Sequence, residues 1–381
     1  MAGRPSGPRL LLGISSGTSA DGVDLALIRV EGVGRDRRAC FLAGEEIAFD
    51  RELQAQVRRA PDWTLAETAE MHFRLGEAFG EAARCFLGRQ EVAAADLRAV
   101  GCHGQTVYHH GGDPRAGTLQ LGDAAVVAAR CGAPVVADFR WSDLAAGGQG
   151  APISPFADWT LHRRAASRLG ILNLGGIANL TLLEGEAPPR AWDSGPANGP
   201  LDALMRIEAG QDCDRDGRRG LAGKVRTGLL LQLQRLDYFQ RRLPRSTGLE
   251  LFGETFARRL RQEAPEAPLD DLLATAAALA GWAVGESLER AGWPGGDLYL
   301  CGGGARNPAL RKALRQFLRS GTELRDYPEL GWDPDLREAV AFALLADAHL
   351  SGEAASWPGT TGVRAPAVLG RSVPPPILDP T

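Results

Sequence analysis

Short apolar runs separated by polar, glycine-bearing turns open the chain. Leu10–Ile14 and Val23–Val30 flank the polar stretch Ser15–Gly22, which predicts a strand, a turn and a second strand. Phe41–Phe49 predicts a third strand. Arg51–Arg59 and Thr64–Leu87 change to helical spacing, with Leu65, Met71, Leu75, Ala78, Ala82 and Phe86 available for one core face. Arg98–Cys102 predicts a short strand running into His103–His110. Thr118–Leu121 then leads through Gly122-Asp123 to an Ala/Val helix ending near Arg130. Pro134–Ala137 predicts a strand that ends in Asp138-Phe139-Arg140, ahead of the glycine-rich loop Ala145–Ala151. This alternation indicates an α/β architecture.

At Arg168 the pattern restarts. Leu169–Leu174, a bend over Gly175–Asn179 and Leu180–Leu183 echo the first strand–turn–strand. Trp192–Pro200 follows, with a helix expected from Leu201. Helices are then predicted over Gly228–Tyr238, Gly253–Arg261 and Leu269–Ala291. A strand at Asp297–Cys301 runs directly into G-G-G-A-R-N and a helix at Pro308–Leu318, and Arg337–Leu350 is a last apolar helix. Two lobes are expected, residues 1–168 and 169–381, with the last helix and tail able to pack back on the first.

Composition narrows the class of protein. A chain of 381 residues, 44% apolar and 24% charged, has room for two domains with sizeable cores. Its net charge of −4 gives no general attraction to nucleic acid or an anionic membrane. The six cysteines are scattered without a C-x-x-C pair, which argues for a reducing compartment and against a disulfide framework or zinc site. The longest apolar stretch, Leu272–Gly285, is below spanning length. A cytoplasmic protein is expected.

Candidate chemistry gathers at the turns. In the first, Gly17 and Gly22 permit close backbone approach, and Thr18 and Ser19 add hydroxyl donors, so the turn suits an anion. Asp21 and Asp24 fit beside a phosphate only if a cation or polarised water lies between them. An ordinary hairpin turn is the alternative. Gly302, Gly303 and Gly304, between strand and helix, would let a nucleotide lie against backbone. A P-loop is excluded, because Gly223-Lys224 is followed by Val225 and lacks the upstream glycine. Asp212, Asp214 and Asp216 hint at a calcium loop, but Gly223 stands where its terminal Glu belongs. His103, His109 and His110 lack a clear third-ligand pattern for zinc.

Two hairpin cradles and a late glycine loop resemble the superfamily of acetate kinase, hexokinase, actin and the heat-shock chaperones. More narrowly, the chain resembles the anhydro-N-acetylmuramic acid kinase family. The matching segments are G-T-S-A-D-G-V-D from Gly17, G-C-H-G-Q-T-V-Y-H from Gly101 and L-Q-L-G-D from Leu119. Further along stand A-D-F-R-W-S-D-L-A-A-G-G-Q-G-A-P from Ala137, L-N-L-G-G-I-A-N from Leu172, D-S-G-P-A-N from Asp193, G-G-G from Gly302 and R-E-A-V-A-F-A from Arg337.

The resemblance implies an α/β fold of two ribonuclease-H-like, actin/hexokinase-type lobes with an ATP cleft between them. It implies a kinase using ATP and Mg²⁺ that opens the 1,6-anhydro ring of anhydro-N-acetylmuramic acid with water and phosphorylates the 6-oxygen, in peptidoglycan recycling. Gly17, Thr18, Ser19, Ala20, Asp21, Gly22, Val23 and Asp24 would then bind ATP with Gly175, Gly176, Gly302, Gly303 and Gly304. Asp21 and Asp24 would face Mg²⁺ through phosphate or water, and Asp193 matches the family's catalytic aspartate. Gln105, Asp138, Arg140, Asp143 and Gln149 offer the groups a sugar needs, Arg140 being suited to its lactyl carboxylate. The expected partners are small molecules only, with no nucleic acid and no membrane, and a homodimer follows from the resemblance. Two positions depart from the family's D-T-G-P-G-N: Ser194 keeps a hydroxyl, and Ala197 adds a methyl where a glycine could take positive φ. Another sugar kinase of the superfamily and a noncatalytic muropeptide sensor are the competing readings.

Overall fold

The structure is a computed structural model that describes residues 7–17, 21–57, 59–111 and 116–376. Thr18, Ser19 and Ala20 of the first turn lie outside the described residues.

In chain order the elements begin with β1 (Arg9–Ser16), β2 (Gly22–Glu31), β3 (Arg38–Ala48), α1 (Arg51–Val57) and α2 (Leu65–Arg89). Then come β4 (Leu97–His110), β5 (Gly117–Leu121), α3 (Ala124–Cys131), β6 (Val135–Ala137), α4 (Phe139–Ala145) and α5 (Pro155–His162). The middle of the chain holds β7 (Leu169–Leu174), β8 (Ile177–Leu183), β9 (Arg190–Pro196), α6 (Asn198–Ala209), α7 (Arg218–Ala222), α8 (Thr227–Leu233) and α9 (Asp237–Gln240). It continues with α10 (Leu249–Phe252), α11 (Glu254–Glu263), α12 (Leu269–Arg290), β10 (Gly296–Cys301), α13 (Pro308–Phe317) and β11 (Thr322–Asp326), before α14 (Arg337–Leu350) and β12 (Arg371–Val373).

These fall into two compact units, Met1–His162 with Asp335–Thr381, and Arg163–Pro334. In the first unit the strands run β12-β6-β4-β1-β2-β3, with β5 paired to β4. In the second they run β11-β10-β7-β8-β9. Each sheet therefore has an antiparallel meander (β1-β2-β3, β7-β8-β9) whose first strand takes a parallel neighbour (β4, β10). The two units repeat one ribonuclease-H-like α/β plan.

Local chemistry sets the boundaries. Thr64 caps α2 in a capping box with Glu67, and Asp123 caps α3 through Ala125 and Val126. Gly132 ends α3 in a left-handed conformation. Helix α2 buries Met71, Leu75, Phe79 and Phe86 against the first sheet, while Leu65 is 86% exposed. Leu65 stands directly after the cap, ahead of the apolar stripe.

Four local expectations are corrected. Ser15 and Ser16 are buried members of β1 rather than turn residues, because hydrogen bonds to Glu338, Gly22 and Gln105 satisfy their hydroxyls. Strand β4 continues through His103–His110, since β5 pairs with that stretch. Arg140 and Asp143 stand on helix α4, because Asp138 at φ 60° turns the chain sharply after the three-residue β6. Asn179 and Asp193 are strand residues, the bend between β7 and β8 being only Gly175-Gly176.

The candidate nucleotide turns and base

The first turn is anchored from below. Gln105, on β4, accepts the Ser16 hydroxyl at 2.7 Å through its amide oxygen and donates Nε2–H to the Gly17 carbonyl at 3.0 Å. The Asp21 carbonyl accepts the Phe49 N–H, and the Gly22 carbonyl accepts the Ser16 hydroxyl. Val23 is buried in the core. Asp24 faces Ser15 on one side and Glu46 on the other. Burial, then the charges of Glu46, Glu338, Asp21 and Asp335, push the Asp24 carboxyl up to about 7. Glu46 and Glu338 belong to this acidic neighbourhood and were not singled out from sequence. Glu338 lies within the R-E-A-V-A-F-A segment, so the signal was there.

The expected sugar groups of the same unit have distinct surroundings. Arg140 donates Nε–H to His103 Nε2 at 2.9 Å and Nη1–H to the Gly150 carbonyl at 2.9 Å. His103 must then donate its Nδ1–H to the Gly104 carbonyl, 2.9 Å away. Burial, and next the Arg140 guanidinium, hold His103 neutral, well below its usual range. The same two causes take His109 down to about 4. Asp138 pairs with Arg371 at 2.8 Å. Asp143 is fully buried and accepts from Gly150 N–H, Ser356 Oγ and Thr361 Oγ1 at 2.6–2.7 Å. Gln149 is half-buried and donates its backbone N–H to the Thr361 carbonyl. Asp143 thus ties the glycine-rich loop to the segment Ser356–Thr361.

In the second unit the parallel pair β7–β10 ends with Asn173 opposite Cys301. Gly175-Gly176 follows one strand and Gly302–Gly304 the other, at the carboxyl edge where ligands gather in α/β sheets. The Gly175 and Gly176 carbonyls accept the N–H groups of Ala197, Asn198 and Gly199, which fixes the start of α6. Gly302 takes φ +75°, and a Cβ there would lie 2.5 Å from Asn173 Oδ1. At Gly303 an added Cβ meets nothing within 4 Å.

Asp193 has partners on both carboxylate oxygens and both backbone polar groups. It lies on β9, 2% exposed, directly across from Asn179 on β8. Asn179 donates its side-chain N–H to Asp193 Oδ1, and the Thr247 N–H donates to Oδ2 at 2.8 Å. Its backbone is gripped as well. The Asp193 N–H donates to the Arg245 carbonyl at 2.9 Å, and its carbonyl accepts Tyr238 O–H at 2.6 Å and Arg245 Nε–H at 3.4 Å. Burial, with the Asp193 charge second, raises the Tyr238 phenol, so it stays a donor at neutral pH. Asn179 falls in the bend that the sequence predicts and is instead a strand residue, and Tyr238, Arg245 and Thr247 carry no signal in sequence. At the two departures, the Ser194 hydroxyl meets Ser287 Oγ at 2.9 Å, and Ala197 sits at φ −131°, so its methyl does not meet a positive φ.

Among the described residues no helix is long and apolar enough to cross a membrane, and no group of three His, Cys, Asp or Glu could hold a metal ion alone.

Comparison with known proteins bears on this arrangement. The chain is 35% identical over 382 residues to the anhydro-N-acetylmuramic acid kinase of Caldanaerobacter subterraneus subsp. tengcongensis, covering 95% of this chain and 96% of that one. It is 38% identical over 381 residues to the enzyme of the same name from Gloeobacter violaceus, covering 96% and 97%. Among solved structures, the activator of 2-hydroxyisocaproyl-CoA dehydratase from Clostridium difficile with bound ADPNP is similar over 90% of this chain and 97% of that one, at 14% identity and a TM-score of 0.43. A profile of one family, anhydro-N-acetylmuramic acid kinase, matches residues 9–375, and with these relatives it shows that the chain belongs to that family.

Proposed function

We propose that Asp193 is the base of an ATP-dependent reaction in which water opens the anhydro ring of 1,6-anhydro-N-acetylmuramic acid while the 6-oxygen accepts the γ-phosphoryl group. As a member of its family the protein is a phosphotransferase of peptidoglycan recycling, and the product is N-acetylmuramic acid 6-phosphate. The observation that carries the residue assignment is the Asp193 carboxylate, buried and held at both oxygens by N–H donors. Such a carboxylate is aimed by its donors, as the general base of an inverting glycoside hydrolysis must be. Water delivers its proton to Asp193 as its oxygen bonds to the anomeric carbon. The bond from that carbon to the 6-oxygen breaks, the freed 6-oxygen attacks the γ-phosphorus of ATP, and the bond from that phosphorus to the bridging oxygen breaks to release ADP.

Gly17–Asp24 and Gly175-Gly176 serve as phosphate turns in this reading, and Gly302–Gly304 as the face for adenosine. Arg140 pairs with the lactyl carboxylate, its guanidinium pre-set by His103 and Gly150. Gln105 and Asp143 hold the surrounding loops, and Asp138 and Gln149 stand at the edge of the same region. Mg²⁺ would spread the charge of the transferring phosphoryl group. The carboxylates at Asp21 and Asp24 fit it only through phosphate or water, since no three-ligand cage exists among the described residues. Burial first and like-charge repulsion second raise Asp24, and a nearby cation would relieve the repulsion. Six free cysteines support a reducing, cytoplasmic setting, and a homodimer is the expected assembly.

Mass spectrometry of products formed from the anhydro sugar, ATP and Mg²⁺ in ¹⁸O-water tests the reading. The expected product carries ¹⁸O at the anomeric carbon and none in the transferred phosphate. A phosphorylated sugar without ¹⁸O at that carbon would overturn it.

A further inference from the structure

The β8–β9 pairing contains one irregularity, and it lies beside Asp193. Ala178 pairs with Gly195 and Asn179 with Asp193, so one residue of β8 advances while two of β9 do. Ser194 is the extra residue, and its hydroxyl is spent on the buried Ser287. Bulges of this kind re-aim a side chain next to a site. Here the bulge leaves Asn179 and Asp193 as a direct cross-strand pair, within side-chain reach. A carboxylate only accepts hydrogen bonds, so the Asn179 amide must present its N–H to Asp193 Oδ1. With Thr247 N–H on Oδ2, each oxygen has a donor from a different segment, which fixes the plane of the carboxylate. Asn179 is also one strand residue beyond Ala178 on the arm of the Gly175-Gly176 turn, so the turn and the donor move as one piece of backbone.

We propose that Asn179 is a positioning residue of the reaction, whose amide fixes the carboxylate plane of Asp193 and sets the pH range over which that group is ionised. The inference rests on the reading of Asp193 as the base. A neutral donor is the suitable partner. It favours the ionised form without the full suppression of basicity that a cation in contact with the carboxylate would bring. Charged and titratable groups around Asp193 include Tyr238, on its carbonyl, and Arg245, on the same carbonyl and on that of Ser194. Behind Arg245 stand Glu286, paired with it at 3.6 Å, and Arg290 on Glu286, and Arg241 lies over the Tyr238 ring. None of these changes when Asn179 is replaced, so a shift in the titration of the base reports on the amide.

The experiment compares Asn179→Ala, Asn179→Asp and Asp193→Asn in the full chain. It measures single-turnover rates against pH, together with ATP binding by calorimetry. Asn179→Ala is expected to slow the chemical step by about 10- to 100-fold through loss of aim. It should also move the acidic limb of the rate profile up by about one pH unit, because the ionised base loses a donor. Asn179→Asp moves the limb further up, since two facing carboxylates cannot both ionise freely. ATP affinity stays within about threefold in Asn179→Ala, because no new charge meets the phosphate turn and the backbone is retained. Should Asn179→Asp fail to fold, Asn179→Ala carries the same readout. An acidic limb that stays in place in the folded variants, with Asp193→Asn inactive, overturns this inference alone. Near-normal turnover by Asp193→Asn overturns the base assignment beneath it.

Discussion

Gly13 and Gly101 stand opposite each other on the parallel strands β1 and β4, and helix α14 lies across both. A Cβ on Gly13 would sit 1.7 Å from the Ala339 carbonyl oxygen, and one on Gly101 2.0 Å from that of Phe342. Both obstacles are backbone, so no side chain can swing aside. Gly13→Ala and Gly101→Ala should each lower stability by about 3 kcal/mol or prevent folding. Gly303→Ala, where an added Cβ meets nothing within 4 Å, should leave the melting temperature unchanged. Calorimetric melting of the three variants checks this, and equal melting temperatures would refute the packing argument.

Asp193→Asn keeps the size of the side chain and the backbone bonds to Tyr238 and Arg245. Folding and ATP binding should survive while turnover falls by roughly 10²–10⁴-fold, the usual worth of a positioned base. Ring opening and phosphorylation should disappear together, because the 6-oxygen is released only as the ring opens. Normal circular dichroism with near-normal turnover would place the base elsewhere.

Asp24 carries a pH signature. Its folded value of about 7 exceeds the ordinary 3.8, so the fold favours the protonated form. Stability from this group is therefore present at low pH and is lost as pH rises toward the folded value. Asp24→Asn should raise the melting temperature of the ligand-free protein at about pH 8 and change it little at about pH 4. A gain of equal size at both ends would contradict the assignment.

Gln105 spends its amide on Ser16 and Gly17, which hold the first turn. Gln105→Leu should accordingly raise the KM for ATP by up to about tenfold, the worth of one or two neutral hydrogen bonds. A raised KM for the sugar with an unchanged KM for ATP would show that this amide serves the sugar instead.

Much of this was legible in the chain. Apolar runs bounded by glycine located both hairpins, and the capping box at Thr64 and the cap at Asp123 set helix starts in register with the pattern. What escaped were contacts made across long sequence separations. Asn179 looks like a turn former until β9 is laid beside it, and Ser15 and Ser16 look too polar for a core until Glu338 and Gln105 arrive. Asp143 has the composition of a sugar ligand, yet Ser356 and Thr361, far along the chain, claim its oxygens. Periodicity reports which face is apolar and leaves unstated which distant donor will meet a given carboxylate.

Asp347, fully buried on α14, gathers Arg9, Arg37 and Arg98 around one carboxylate at 2.5–3.0 Å. Asp347→Asn would leave the buried Arg9 and Arg37 and the half-buried Arg98 without their shared counter-charge and should destabilise the first unit by about 3–5 kcal/mol. Chemical denaturation followed by fluorescence checks it, and a loss below about 1 kcal/mol, the range of an exposed pair, would show that the cluster is solvated.

The return of the chain to its first unit has a consequence for biosynthesis. Residues 163–334 are contiguous and form a unit by themselves, whereas the first sheet needs Asp335 onward. While the ribosome is still working through the middle of the message, Gly13 and Gly101 present a bare groove, and Arg9, Arg37 and Arg98 wait for Asp347. The usual order in which the amino-terminal part matures first is thereby inverted. The segment synthesised earliest is completed last, and a transcript truncated shortly before codon 335 would encode a finished second unit beside a sheet lacking its covering helix.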